Sequence, residues 1–264
     1  MSPFFSFSLS NMRRIGFVCM LFQLMGAGQL SAQNLDSVSV KADTRDDLHP
    51  KLVSFIPAAA GVAYGFLALN ITPLRKIDSY FHRRINRDNH SFYTTADDYL
   101  RYVPAAAVYG LDLLGIKGKN SFRDRTSVYL ISSAFSGITV NVLKRNSNRL
   151  RPNRLNDYSF PSGHAATAFA SAEFLRHEYG DESAWYAAAG YGIATTTAVL
   201  RLYKNYHWFS DLVAGAGIGI LSTKFAYMVY PSVRKMVFGR SKSNTVVLPA
   251  YQNGGAALVI SGKF

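Results

Sequence analysis

An all-α bundle of five to six apolar helices, ending in a short C-terminal β-hairpin, is the fold this sequence predicts. Three observations lead there. Charged residues make up 17% of the chain, against about 25% in an average soluble domain, so much of the surface has to be buried or turned toward lipid. Apolar segments rich in Ala, Gly, Ser and Thr alternate with charged stretches, and small residues let helices approach closely. A β-prone pattern is confined to the tail, where 245–251 and 256–261 flank Asn253-Gly254-Gly255, a turn that tolerates positive φ.

In chain order, residues 1–32 read as an export signal. Arg13-Arg14 is the positive region, Ile15 to Ala27 the apolar region, and Leu30-Ser31-Ala32 a small-residue cleavage site. Met12 is an alternative start, and an uncleaved anchor is the alternative reading of the whole stretch. The single cysteine, Cys19, lies in that apolar run, which excludes a disulfide within the chain and a thiolate metal cluster. Residues 33–50 are a polar linker. Residues 51–238 form the main domain, with apolar segments near 52–71, 102–116, 126–143, 164–175, 185–200 and 208–230. Only the first and last approach the roughly 20 residues that span a bilayer unaided. The charged stretch 72–101 (Arg75, Lys76, Arg83, Arg84, Arg87) reads as a polar helix or interfacial element. Residues 239–264 form the tail with its hairpin, an edge ornament in one reading and an outer-membrane sorting signal ending in Phe264 in another.

The formal net charge of +13 favours nucleic acid, anionic headgroups or phosphorylated substrates as partners. The sequence shows no zinc spacing, no Gly-rich phosphate loop and no basic run interleaved with aromatics. Those gaps argue against nucleic acid and leave an anionic membrane surface and a phosphate-bearing substrate.

Three clusters carry candidate chemistry: Lys144 followed by Arg151-Pro152; Pro161-Ser162-Gly163-His164; and Arg201, His207 and Asp211. Lys144, Arg151 and Arg201 match the charge of a phosphate group, and Arg offers a planar fork for bidentate contact. Ser162 and Gly163 precede an apolar helix whose first N–H groups would favour an anion. His207 and Asp211 are spaced i, i+4 and would share one face if that segment were helical. A carboxylate on one ring nitrogen would leave the other free to attack phosphorus, making His207 the nucleophile. His164 has no acidic neighbour in sequence and suits the general acid and base. No metal ligand set or cofactor motif accompanies these residues. Arg145, Arg149, Arg154 and Lys204 read as solvated or headgroup-steering cations.

These residues, in this order and spacing, resemble the type 2 phosphatidic acid phosphatase superfamily over roughly residues 50–235. The resemblance implies a helical bundle in which Lys144, Arg151, Ser162, Gly163 and Arg201 bind phosphate. It also implies His207 as nucleophile, Asp211 as its partner and His164 as acid/base, with no metal and no other cofactor. Leu200 stands where the family often has a small polar residue. The implied substrate is an envelope lipid phosphate: undecaprenyl pyrophosphate, phosphatidate, phosphatidylglycerol phosphate or a lipid A phosphate. The alternatives are a soluble exported acid phosphatase and a vanadium-dependent haloperoxidase.

The basic stretches 117–125 and beyond 230 place the catalytic loops on the outer, periplasmic face of a bacterial inner membrane by the positive-inside rule. Six spans after a cleaved signal would instead place those loops inside. The expectation is therefore that one of the first two segments does not cross, or that the bundle sits largely on the membrane. Residues 102–116, with Pro104 and Asp112, are the weaker.

Overall fold

The computed structural model describes residues 52–86 and 92–238, together with the backbone of 246–252 and 255–261. The expected export signal and linker lie outside the described residues.

Each helix begins and stops for a local reason. A 3₁₀ turn, Leu52–Phe55, leads into α1, Ile56–Asn70, with Pro57 in the first turn, where its missing N–H is not needed. Ile71 is extended (φ −88°, ψ 111°) and separates α1 from α2, Thr72–Asn86. Asp78, Phe81 and Ile85 are buried on one face of α2, while Arg75, Lys76, Arg83 and Arg84 stay exposed on the other, the stripe expected of an amphipathic helix. A short helix, α3 (Ala96–Leu100), precedes α4 (Val103–Leu113).

Helix α5, Phe122–Ser147, starts at Ser121, whose hydroxyl accepts from the Asp124 N–H at 3.2 Å while donating to its carboxylate at 2.9 Å. It ends at Asn148, which takes the left-handed conformation (φ 44°, ψ 35°) that closes many helices. Its buried positions are Arg125, Val128, Ser132, Ser136 and Val140, while Leu130, Phe135, Ile138 and Val142 point outward. At 26 residues it is longer than the expected 126–143 segment and joins the first and last as helices long and apolar enough to cross a membrane: Val53–Asn70, Phe122–Ser147 and Phe209–Val237.

Helices α6 (Gly163–Tyr179) and α7 (Ala184–Tyr203) form an antiparallel pair, capped by Ser162 and Ser183. Helix α8, Phe209–Phe238, packs against α6 at near backbone contact. A Cβ at Gly215 would stand 2.4 Å from the Ser162 carbonyl oxygen, and one at Gly219 would stand 2.1 Å from that of Ala166. Only glycine permits this approach, and it fixes the start of α6 relative to α8. The core lies between α6, α7 and α8, closed by α2, with Phe81 stacked on Phe209 at 4.4 Å.

The chain crosses this bundle six times. Ser54, before α1, meets Lys224 in mid-α8, and Asn70, at its end, shares a cavity with Ser147 and Trp208. The α3–α4 segment runs back, from Asp97 beside Arg201 to Ile116, whose carbonyl accepts from Tyr179 Oη at the end of α6. Residues 102–116 thus run the length of the bundle, although their helix, Val103–Leu113, is shorter than the three candidate membrane spans among the described residues.

Val229–Phe264 forms a second compact unit. Of its tail only the backbone of β1 (Val246–Gln252) and β2 (Gly255–Ser261) is described, as an antiparallel pair. The side chains of the expected hairpin lie outside the described residues.

Candidate active site

One end of the bundle gathers all three sequence clusters. Lys144 comes from the last turn of α5, Ser162 to His164 from the start of α6, Arg201 from the last turn of α7, and His207 and Asp211 from the entry to α8. Arg151 comes from the 148–162 loop. That loop is held by its own polar groups: Arg151 N–H donates to the Asn156 carbonyl, Ser159 N–H to that of Arg149, and Tyr158 N–H to Asn156 Oδ1.

His207 is fully inside, with 2% of its side chain exposed. It precedes α8 rather than lying on it, so its relation to Asp211 is not that of helix neighbours. Nδ1 lies 2.7 Å from the Ser159 carbonyl oxygen and 3.7 Å from Asp211 Oδ2. A carbonyl can only accept, so Nδ1 carries the hydrogen, and Nε2 is left as an unprotonated nitrogen with no hydrogen bond among the described residues. The expected direct Asp211 bond is therefore replaced by a backbone carbonyl. Asp211 acts one step back. Its Oδ2 accepts from Ser159 Oγ at 2.5 Å and from the Trp208 N–H at 2.9 Å, fixing both sides of His207. Its Oδ1 receives Arg149 Nη1 at 2.6 Å. Burial above all pushes the His207 imidazole down to about 4 against the opposing pull of Asp211, with Lys144 and Arg201 adding to the shift. The ring is neutral near pH 7.

Arg149, expected to be solvated, is a buried brace: its Nη2 meets Asp78 Oδ2 at 2.5 Å and its Nη1 also reaches Ser210 Oγ at 2.8 Å. Lys204 is buried as well, 2.9 Å from Asp97 Oδ1. Asp97 also accepts from Arg201 Nη1 at 2.7 Å, so it positions two cations at once. His164 Nε2 lies 2.6 Å from Asp98 Oδ1. An acidic neighbour therefore exists in space where none existed in sequence. Burial, then Arg201, pushes the His164 ring down to about 4 in spite of Asp98.

The phosphate-binding candidates differ in how far they are already engaged. Lys144 Nζ donates to the Tyr158 carbonyl at 2.8 Å. Ser162 is buried, and its hydroxyl accepts from the Ala165 N–H at 3.4 Å, so it caps α6. A Cβ at Gly163 would meet only Val140, at an ordinary 3.5 Å; packing does not demand glycine there. Arg151 and Arg201 flank the Tyr206 ring, 5.6 and 4.5 Å from its centre. Both keep a buried Nε–H without a partner. Burial and the adjacent Arg201 hold the Arg151 guanidinium below its usual range. Two like charges with unmet donors form a seat for an anion.

Among the described residues, two cavities border this centre. One, of about 390 Å³, runs from Lys144, Gly163 and His164 down between α5 and α6 past Gly137 to Tyr129. The other, of about 830 Å³, lies on the opposite side of the Arg149–Arg151 segment, against the α1–α2 junction and Trp208. Asp97, Asp98 and His164 bring one ligand atom each within 4.8 Å of one another. Asp97 is already neutralised there by Arg201 and Lys204.

Comparison with known proteins matches residues 125–235 to the family described as the PAP2 superfamily. Residues 125–235 are a PAP2 superfamily domain. The chain is 39% identical over 140 residues to a lipid A 1-phosphatase of Porphyromonas gingivalis, covering 53% of this chain and 32% of that protein. It thus spans about a third of that relative's length. It is 28% identical over 146 residues to a probable lipid phosphate phosphatase beta of Arabidopsis thaliana, covering 42% of this chain and 68% of that protein. Among solved structures, a PAP2-type phosphatidylglycerolphosphate phosphatase from Bacillus subtilis aligns with a TM-score of 0.46 at 17% identity, over 69% of this chain and 96% of that one.

Proposed function

We propose that this chain is a membrane phosphatase that removes phosphate from a lipid headgroup through a phosphohistidine intermediate. One observation carries the reading: a buried, neutral His207 whose Nδ1 is tied to a carbonyl, beside two arginines with unmet buried donors. A neutral imidazole with a free Nε2 is a nucleophile, and the arginines supply charge where it develops in the transition state.

The geometry supports the following steps. The substrate phosphate seats between Arg151, Arg201, Lys144 and the first N–H groups of α6, whose N-terminus favours an anion. His207 Nε2 attacks phosphorus, and the P–O bond to the lipid breaks. His164 gives a proton to the departing oxygen. With its Nε2 engaged by Asp98, Nδ1 is the nitrogen left to deliver it, and a bound phosphate dianion raises the ring's proton affinity from its low resting value. The same ring then takes a proton from water as that water attacks the phosphohistidine, releasing phosphate and restoring His207. Lys144, Arg151 and Arg201 supply the positive charge themselves, so the reaction is proposed to need no metal.

A lipid substrate is supported by the site's place at the ends of three helices long and apolar enough to cross a membrane, and by the names of the relatives. The cavity descending along α5 from Lys144 suits one lipid chain. The proposed location is a bacterial envelope, with the site facing outward. A soluble acid phosphatase would not need those exposed apolar flanks.

The test is a phosphate-release panel over purified lipid phosphates, with acid-quench trapping of labelled enzyme. His207→Ala is expected to abolish both turnover and label, and His164→Ala to slow formation of the phosphoenzyme. A chelator is expected to leave the rate unchanged. Full activity in His207→Ala, or strict dependence on an added divalent metal, overturns the mechanism.

A further inference from the structure

Tyr206 stands next to His207 in the chain yet takes no part in the steps above. Three cations gather on its ring. The Arg201 and Arg151 guanidiniums lie 4.5 and 5.6 Å from its centre, and Lys204 Nζ lies 5.0 Å away. The turn after α7 puts the ring there. Asn205 takes the left-handed conformation (φ 57°), and the Tyr206 N–H folds back to the Arg201 carbonyl at 3.2 Å. The Asn205 carbonyl accepts from the Asn153 N–H at 3.2 Å, which ties the loop carrying Arg151 to the same turn.

Charge around that ring is poorly balanced. Asp97 accepts from Arg201 Nη1 at 2.7 Å and from Lys204 Nζ at 2.9 Å. Arg151 has no ion pair with a carboxylate among the described residues, and the neighbouring Arg201 repels it. Such repulsion would drive an arginine on a loop outward into water. What Arg151 meets instead is an aromatic face, whose negative quadrupole attracts a cation. A carboxylate in that place would hold the guanidinium more strongly, but it would occupy the fork and cancel the charge that a phosphate needs. A ring face does neither. The Nε–H groups of Arg151 and Arg201 stay without partners, and their charge is in place before substrate arrives. That is the condition for electrostatic stabilisation without reorganisation.

We propose that Tyr206 is a positioning residue of the phosphate seat, whose ring holds Arg151 and Arg201 ready for the substrate phosphate while leaving their donors open. The assignment rests on the proposed phosphatase activity and works through the two arginines, not on the reacting atoms.

The experiment compares the wild type with Tyr206→Met, which keeps bulk and removes the face, and Tyr206→Phe, which keeps the face and removes the hydroxyl. In Tyr206→Met, KM for a lipid phosphate and the inhibition constant of inorganic phosphate are expected to rise together by about tenfold. The turnover number kcat should change far less, because the loss falls on ground and transition state alike. Tyr206→Phe is expected to stay within about twofold of the wild type in both constants. In an Arg151→Gln background the Met substitution should cost much less, since its main target is gone. A Phe variant as weak as the Met variant, unchanged constants in Tyr206→Met, or a full tenfold loss in the Arg151→Gln background overturns the proposal. Should Tyr206→Met fail to fold, fluorinated phenylalanines at 206 keep the shape and weaken the face. Affinity for inorganic phosphate must then fall with each added fluorine, and a flat series overturns the proposal. Should the wild type release phosphate from no lipid, the phosphatase reading fails on its own, and equilibrium binding of inorganic phosphate decides the role of the ring. The wild type must then bind it more tightly than Tyr206→Met does, and equal or absent binding sinks the positioning role too.

Discussion

Replacing Arg149 by Met tests whether the brace behind His207 holds the site together. The guanidinium joins Asp211 Oδ1 at 2.6 Å, Ser210 Oγ at 2.8 Å and Asp78 Oδ2 at 2.5 Å. The side chains of Asp78 and Asp211 are 2% and 0% exposed, so methionine leaves two carboxylates in the interior without a cation. Removing one partner of a buried ion pair costs about 3–5 kcal/mol. The lower end applies here, because each carboxylate keeps two other donors: Ser159 Oγ and Trp208 N–H for Asp211, and the Ser210 N–H and hydroxyl for Asp78. Burial also holds the Asp78 carboxyl above its usual range even beside Arg149, so it can take a proton and limit the loss. A cost of about 3 kcal/mol lowers Tm by roughly 6–12 °C in a domain of this size. The assay is thermal unfolding in detergent at pH 7, on Arg149→Met and on Arg149→Met with Asp78→Asn. The second variant should recover part of the loss by removing one stranded charge. A fall of less than about 1 kcal/mol, the ceiling for an exposed pair, would refute the brace, as would a double variant less stable than the single one.

Three further outcomes are expected. Stability should fall as pH drops from about 6.5 toward 4: the unfolded histidines bind protons near 6.5, whereas folded His164 and His207 are held down to about 4, so the unfolded state gains protons first. Denaturant midpoints across that range read the slope, and His207→Ala should flatten it. Gly137→Leu should cut kcat/KM for a long-chain lipid phosphate by about tenfold or more, the scale of one misfitted apolar contact. It should spare a short, water-soluble phosphate ester, because the new side chain enters open space bordering the smaller cavity. In a Cys19→Ser background, Arg154→Cys should react with a membrane-impermeant thiol reagent added outside, while Lys119→Cys should react only after the membrane is opened.

The cluster residues were legible because each sits where a loop meets an apolar helix, and three short spacings carry the chemistry without reference to the fold. What those residues lean on was not legible. Asp78, Asp97 and Asp98 lie 132, 107 and 66 positions from Ser210, Lys204 and His164, the partners they bond. No periodicity marks such distances, and the 72–101 stretch looks merely polar. Arg149 looks like one more surface cation, since charge alone does not tell a brace from a solvated side chain. The i, i+4 spacing of His207 and Asp211 misleads for a different reason. It assumes a helix already formed at 207, but α8 begins at Phe209, and the carboxylate instead reaches back to the Trp208 N–H as a helix cap. The length of α5 is hidden because Asn141, Lys144 and Arg145 break the apolar run, although they are still helical.

The six crossings tie the two ends of the molecule together in a way the sequence left open. Ser54 lies beside Lys224, well down α8 from its start at the site. Lys119 lies at the end of α6, where its N–H meets the Glu178 carbonyl, so both belong to the end away from His207. If the bundle crosses the membrane, the site and the start of α1 therefore face opposite sides. An outward site then places the linker inside, and a signal cleaved outside places the site inside. The basic 117–125 loop favours the outward site, although Arg125, Lys117 and Lys119 are paired with Asp112 and Asp181. The positive-inside rule counts cations rather than net charge, so the pairing does not alter the orientation that loop favours.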